Sequence, residues 1–243
     1  MVTLKRISNI LKYGVGDDAR QRKQADKAKA REARFQSELW SENGDVASRK
    51  YASYDDYLAH QASKFERVVD RLHETEDDDL AEFVRRFEGC APLSEMRNVL
   101  CLGARLGTEV RALHALGYFA VGIDLNPGER NAYVLPGDFH NVVFPDGSVD
   151  AIYTNCLDHV FDLEKMIAEI RRMLRAGGLF VADVLAGYEE GFTPGAYEAT
   201  HWRKADAFIE KIRGLGSFGV EEVRDLGHHR RDHWTQAVFR KPA

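Results

Sequence analysis

Two histidines in short polar segments carry the chemistry this chain could do. His159 ends Thr154-Asn-Cys-Leu-Asp-His159, four positions past Asn155, with Asp158 beside it and Asp162 three residues on. A histidine is the usual group for taking a proton from a hydroxyl near neutral pH, and an adjacent carboxylate can orient its ring and stabilise its cation. The competing reading is a histidine at a helix start that caps or packs. His140, in Gly137-Asp-Phe-His140, lies two positions after Asp138 and is either a second candidate base or a loop hydrogen-bonding group. His228, His229, Arg230, Arg231 and His233 form a basic cluster, read as a solvated turn or as a grip on an acidic or phosphorylated substrate. His201 and Trp202 could line an acceptor pocket or simply pack in a helix. No Cys/His set has zinc spacing, and nothing demands magnesium at Asp158 and Asp162, so no metal is expected.

These residues need a frame, and its centre is Val99-Leu-Cys-Leu-Gly-Ala-Arg-Leu-Gly-Thr108. An apolar run ends in a turn containing Gly103 and Gly107, and a helical pattern starts at once. Free backbone N–H groups and the positive end of the helix dipole converge at such a turn, which suits a polar or anionic ligand group. Asp124 follows Gly103 by 21 positions at the end of the next strand, where a carboxylate can accept both hydroxyls of a ribose. That pair fits a nicotinamide enzyme and a nucleoside-cofactor enzyme equally. Gly103-Ala-Arg-Leu-Gly107 lacks a third glycine and has Arg105 where a dinucleotide fingerprint needs a small residue, which argues against a nicotinamide oxidoreductase.

From Arg97 the pattern alternates between strand and helix. Strands are expected at 97–102, 118–124, 132–135, 149–154 and 179–185, with helices at 105–116 and 163–174 and a glycine stop at Arg175-Ala-Gly-Gly178. A helix at 199–213 then precedes two strands, near 217–226 and 233–240. Their short connection implies an antiparallel pair. The alternation predicts an α/β, doubly wound, mainly parallel seven-stranded sheet with an antiparallel last strand, plus a helical N-terminal extension. The domains expected are 1–89, a helical extension or lid, and 90–243, the sheet domain.

Within the extension, residues 2–13 read as a short amphipathic helix, and 17–38 as a charged helix or arm that could contact a partner or a second copy. Ser53 and Asp56 have the form of a capping box before a wide apolar stripe over 53–72. Gln61 lies on that stripe and Lys64 at its edge. Either they find nearby backbone partners, or the helix lids the glycine turn and they touch the ligand.

The chain has 243 residues, 44% hydrophobic and 30% charged, with a net charge of -5. That is enough for one decorated domain and gives no overall attraction to nucleic acid. Three cysteines, two of them in or just after predicted buried strands, fit reduced thiols better than a disulfide framework. No stretch approaches the ~20 apolar residues of a membrane span, and Met-Val-Thr-Leu-Lys-Arg lacks a signal-peptide core. A cytoplasmic location is expected.

Residues 97–185, with Gly137-Asp-Phe-His, Phe144-Pro-Asp-Gly-Ser-Val-Asp150 and Leu174-Arg-Ala-Gly-Gly178 in that order, resemble the core of a class I S-adenosylmethionine-dependent methyltransferase, and the last strands extend the match to about 240. Within the class, Cys-Leu-Gly-Ala-Arg-Leu-Gly-Thr-Glu-Val and Thr-Asn-Cys-Leu-Asp-His resemble an uncharacterised or glycan-associated subgroup. The resemblance implies that Gly103, Ala104, Arg105, Gly107 and Thr108 cradle the methionine part of the cofactor. Asp124 would hold the ribose, Leu125 and Phe139 flank the adenine, and Asp138 accept its amino group. Asn155 would contact cofactor or substrate. The class often has an acid where this chain has Cys101, so the contact to the methionine amino group must come from elsewhere or be lost, and Arg105 could hold the cofactor carboxylate. The expected activity is methyl transfer to a hydroxyl of a small molecule or glycan with a histidine base. The rival from another class is a non-catalytic scaffold or cofactor-binding protein. An N-methyltransferase is the lesser enzyme alternative.

Overall fold

The structure, a computed structural model, describes residues 39–243 together with Asp18, Ala19, Gln21, Arg22, Ala25, Asp26 and Lys29. The chain divides into Met1–Ser41 and Glu42–Ala243. In the first unit the seven scattered residues are helical and, Ala19 apart, exposed. The helix expected over 2–13 and most of the charged stretch 17–38 lie outside the described residues.

The second unit is built on a seven-stranded sheet. Its strands are β3 (Asn98–Leu102), β4 (Phe119–Asp124), β5 (Val134–Pro136), β6 (Val149–Thr154), β7 (Leu174–Leu185), β9 (Gly219–His229) and β10 (Asp232–Arg240), in the order β5-β4-β3-β6-β7-β10-β9. The first five run parallel, and β10 pairs antiparallel with both β7 and β9. The expected seven-stranded, mainly parallel sheet is therefore present. Strand order reverses beside β3, the place where doubly wound sheets open a crevice for ligands.

Successive strand residues point to opposite faces, so a sheet covered on both sides needs apolar residues at every position. One core holds Leu100, Leu102, Ile152, Phe180, Ala182, Val184 and Phe239 against α4 (Leu163–Met173) and α5 (Ala205–Gly216). The other holds Val99, Cys101, Ala151, Tyr153, Leu179, Val181 and Val238 under α2 (Glu76–Glu88) and α3 (Thr108–Ala115). The three cysteines are free and buried.

Two local expectations are corrected. Arg175-Ala-Gly-Gly178 is not a stop between helix and strand, because β7 starts at Leu174 and runs through it. Gly177 takes a left-handed φ of 71°, and a side chain at Gly178 would meet the Asp150 carbonyl, so the glycines allow an irregular strand to continue. His201 and Trp202 are not at the start of a helix but in β8 (Thr200–Trp202), which pairs with β2 (Val46–Arg49). Trp202 stacks on Phe208 and donates its indole N–H to the Leu185 carbonyl, which makes it core rather than an acceptor wall.

Helix α1 (Tyr54–Glu74) is capped by Ser53, whose hydroxyl accepts the Asp56 N–H at 3.1 Å. Helix α2 is pinned to the sheet by charge rather than by apolar contact alone. Arg86 donates to Asp183 on β7 at 2.9 Å, and Tyr153 and Gln236 bond to the same carboxylate. All four residues are buried. A buried ion pair completed by further hydrogen bonds contributes little net stability, yet removing one partner costs about 3–5 kcal/mol. Among the described residues no helix is long and apolar enough to cross a membrane.

Candidate active site

The backbone at the end of β3 forms the floor of the site. Gly103 and Ala104 donate their N–H groups to the Ile123 carbonyl, which clips the turn to the end of β4. Gly103 has φ +73°, and a Cβ there would lie 2.2 Å from the Cys156 sulfur, so only glycine fits. Gly107, at φ +85°, starts α3. Arg105 is also left-handed, at φ +45°, a conformation that costs a non-glycine residue about 1–2 kcal/mol. In this pose the Arg105 N–H donates to Asp124 Oδ2 at 2.9 Å, while the Asn126 N–H donates to Oδ1 at 2.8 Å. Both carboxylate oxygens are thereby held by backbone, each with lone pairs left for a ligand hydroxyl.

A cavity of about 550 Å³, counted out to its mouth, lies over this floor. Gly103, Arg105, Asp124, Leu125, Phe139 and Cys156 form one wall. Tyr57, Gln61, Lys64, Phe65 and Val68, one face of α1, form the other. A larger cavity, about 1540 Å³ on the same count, adjoins it. Ala104, Thr108, Glu109, Asn155 and Asp158 line it, with Arg86 and Asp79 of α2, Phe192, Tyr197, Glu198, His229, Arg230 and Trp234. Lys64, Val68, Gly103, Arg105 and His159 belong to both, so they mark the junction.

His159 sits at that junction in a fixed orientation. Its Nδ1 lies 3.0 Å from the Tyr197 carbonyl, which only accepts, so the proton is on Nδ1 and the Nε2 lone pair accepts from Lys64. Nε2 faces Lys64 Nζ at 2.5 Å and Asp158 Oδ2 at 3.5 Å. Burial, and then the Lys64 and Arg105 charges, drive His159 well below the usual histidine range, so the ring is neutral at pH 7. Burial drives Lys64 down, with the Arg105 charge adding to the shift, and Asp158 up, and their mutual attraction opposes both shifts. The two titrate as a pair. Asp158, His159 and Glu198 bring one ligand atom each within 4.8 Å of one another, and Lys64 is the cation facing that group.

Of the residues singled out from sequence, Gly103, Ala104, Arg105, Thr108, Asp124, Leu125, Phe139, Asn155, Gln61, Lys64, Asp158 and His159 line the two cavities. Three do not. His140 is 1% exposed and lines neither cavity. Its Nδ1 bonds Asp138, and its Nε2 accepts the Asp162 N–H, which removes it as a base. Asp138 is taken up by its own surroundings: Oδ1 accepts from His140 and Oδ2 from the Tyr54 hydroxyl at 2.5 Å. Those bonds hold its carboxyl down at about 2 despite partial burial. Gly107 serves the turn, with Tyr133 and Val134 packed where a side chain would be. Two roles also change. The group orienting His159 is the Tyr197 carbonyl, with Asp158 on the Nε2 side. Gln61 donates to the same carbonyl at 2.8 Å, so its backbone partner and its place in the cavity wall coexist. Asp162 caps α4 by accepting the Lys165 N–H. His229 and Arg230 are ion-paired with Asp79 at the rim of the larger cavity, not a free basic grip.

Sequence reasoning passed over Glu109, Tyr197 and Glu198 as site residues. Glu109 alone left a sign, an acid directly after the glycine turn. Tyr197 and Glu198 come from the irregular 186–199 segment, where periodicity carries no signal.

With this geometry in view, comparisons with known proteins agree on the fold. The family model for a methyltransferase domain matches residues 100–182. The 1,6-didemethyltoxoflavin-N1-methyltransferase of Burkholderia thailandensis, solved with 1,6-didemethyltoxoflavin and S-adenosylhomocysteine bound, is 17% identical with a TM-score of 0.63. That match covers 84% of this chain and 98% of the other. A possible histamine N-methyltransferase from Thermotoga maritima is 19% identical with a TM-score of 0.57, covering 76% and 99%. An uncharacterised 37.1 kDa protein from a Streptomyces fradiae transposon is 34% identical over 105 residues, covering 38% of this chain. The match spans only 27% of that relative's length. The chain has the Rossmann-like fold that these solved methyltransferases share, and residues 100–182 are the part that matches the methyltransferase-domain model.

Proposed function

We propose that the protein is a methyltransferase that binds S-adenosylmethionine in the smaller cavity and methylates a hydroxyl of a small molecule or glycan held in the larger one. The observation that carries this reading is the fixed, neutral His159 at the junction of the two cavities, its Nε2 bonded to Lys64, which lines both cavities as well. The donor set fits the cofactor. Asp124, with both oxygens anchored, takes the ribose hydroxyls, Leu125 and Phe139 flank the adenine, and Arg105 takes the carboxylate of the methionine part. When bound, the cofactor supplies an activated methyl group for in-line displacement.

The chain's own residues then have three tasks. The turn and α1 hold the two reactants in line, which supplies much of the rate. The α1 face, through Tyr57, Phe65 and Val68, keeps water away from the junction. His159 takes the acceptor proton on Nε2 once the acceptor hydroxyl has displaced Lys64 from that nitrogen, while Tyr197 holds the opposite one. Aromatic Phe192, Tyr197 and Trp234 suit a sugar or ring in the acceptor cavity. The two solved relatives are named as N-methyltransferases, so nitrogen is the second acceptor class to examine.

Calorimetric titration with S-adenosylhomocysteine, followed by a screen of sugar, phenol and amine acceptors with S-adenosylmethionine, tests the proposal. Micromolar binding is expected, weakened roughly 100-fold or more in Asp124→Ala because two hydrogen bonds to a charged group are lost. A folded protein that binds neither form of the cofactor refutes the enzyme reading. Binding without turnover on any acceptor moves the weight to the scaffold reading, and turnover only on amines replaces oxygen by nitrogen.

A further inference from the structure

Strand β3 carries a thiol at Cys101, where the resemblance to the class implies an acid. Cys101 is fully buried, and both burial and the nearby Glu109 carboxylate push its ionisation well above the ordinary thiol range. It is a neutral thiol at any working pH and cannot balance a cation.

Glu109 lies in the first turn of α3 and is 5% exposed. It lines the larger cavity with Gly103, Ala104 and Arg105, the same turn that floors the smaller one. We propose that Glu109 holds the α-ammonium of the cofactor's methionine moiety from the helix side, where that moiety passes the Gly103–Arg105 junction into the larger cavity. The inference rests on the cofactor reading above.

Two further observations bear on it. Cys101 packs in the same core as Val110, the residue after Glu109 on α3, so strand and helix meet beside the glycine turn that joins them. Glu109 also lacks a matching cation. Burial lifts its carboxyl to about 8, with Asp124 on β4 and Asp79 on α2 adding like charge and Arg105 opposing. Among the described residues its one hydrogen-bond donor is its own backbone N–H. A carboxyl held neutral inside a ligand cavity binds an ammonium by giving up its proton, so binding and proton release are linked.

The decisive measurement is calorimetric titration of wild type, Glu109→Gln and Glu109→Asp with two probes, S-adenosylhomocysteine and its analogue with hydrogen in place of the amino group. Glutamine matches the neutral acid in shape, and a thermal melt verifies that each variant is folded. Wild type is expected to favour S-adenosylhomocysteine roughly 10- to 100-fold. Glu109→Gln should bind both probes as wild type binds the analogue, and Glu109→Asp should keep part of the preference. At pH 7, buffers of different ionisation enthalpy should read about one proton released by wild type and none by Glu109→Gln. A preference that survives in Glu109→Gln overturns the inference, and so does an equal loss for both probes, which marks a role in the turn alone. A wild type that binds neither probe brings down the cofactor reading and the inference with it, a result distinct from either.

Discussion

The two ends of the cleft are built by different means. At the smaller cavity the backbone sets the geometry: two left-handed glycines, a left-handed Arg105 and N–H groups that grip Asp124 all lie within one strand–turn–helix unit and its neighbouring strand. At the larger cavity the walls are mainly side chains from α1, α2, the 157–159 turn, the 186–199 segment and the β9–β10 hairpin. A backbone-built site tolerates little change and binds one kind of ligand. A side-chain-built site can be revised residue by residue, which is how one fold accepts many acceptors. His159 stands where the two meet, held by the carbonyl of one segment and facing the lysine of another.

The contrast predicts that damage at the junction separates binding from turnover. His159→Gln should lower turnover about 10²- to 10⁴-fold, the span of general-base catalysis, with S-adenosylhomocysteine affinity within about 3-fold of wild type. Equal turnover would remove His159 as the base. Lys64→Met should act through pH. The base works in its neutral form, so the rate falls as pH drops through the histidine's range, and Lys64 is one cause of that range lying low. Removing the charge lifts it, and the acidic limb of kcat/KM should move to higher pH. An unmoved limb assigns the limb to another group. Gln61→Leu should do least. Losing the bond to the Tyr197 carbonyl costs about 1 kcal/mol, a fall of roughly 2–4 °C in Tm, with cofactor affinity unchanged. A large loss of affinity would make Gln61 a ligand contact.

What sequence could show follows the same division. Gly103, Asp124 and the alternation after Arg97 are local patterns, and the sheet, its antiparallel end and the floor of the smaller cavity were legible from them. The α1 stripe was also visible, with Gln61 and Lys64 out of character on an apolar face. Asp138 and His140 misled because their motif is local while their partners are not: Tyr54 arrives from α1 and occupies the carboxylate expected to face adenine. Tyr197 and Glu198 were invisible because only tertiary placement of an irregular loop brings them to His159. The rule that a polar residue on a buried face must find a partner held for both readings of Gln61, which is why it could not choose between them.

The buried Arg86–Asp183 pair reaches further than its own surroundings. It fixes how α2 is rotated on its long axis, and Asp79 lies seven residues earlier, two turns away on the same face. Asp79 in turn holds His229 and Arg230, so the tip of the β9–β10 hairpin is tethered through the helix to the middle of the sheet. The gape of the larger cavity is thus gauged from the interior, with the helix as the lever arm between a buried charge on the sheet and the rim of the cavity.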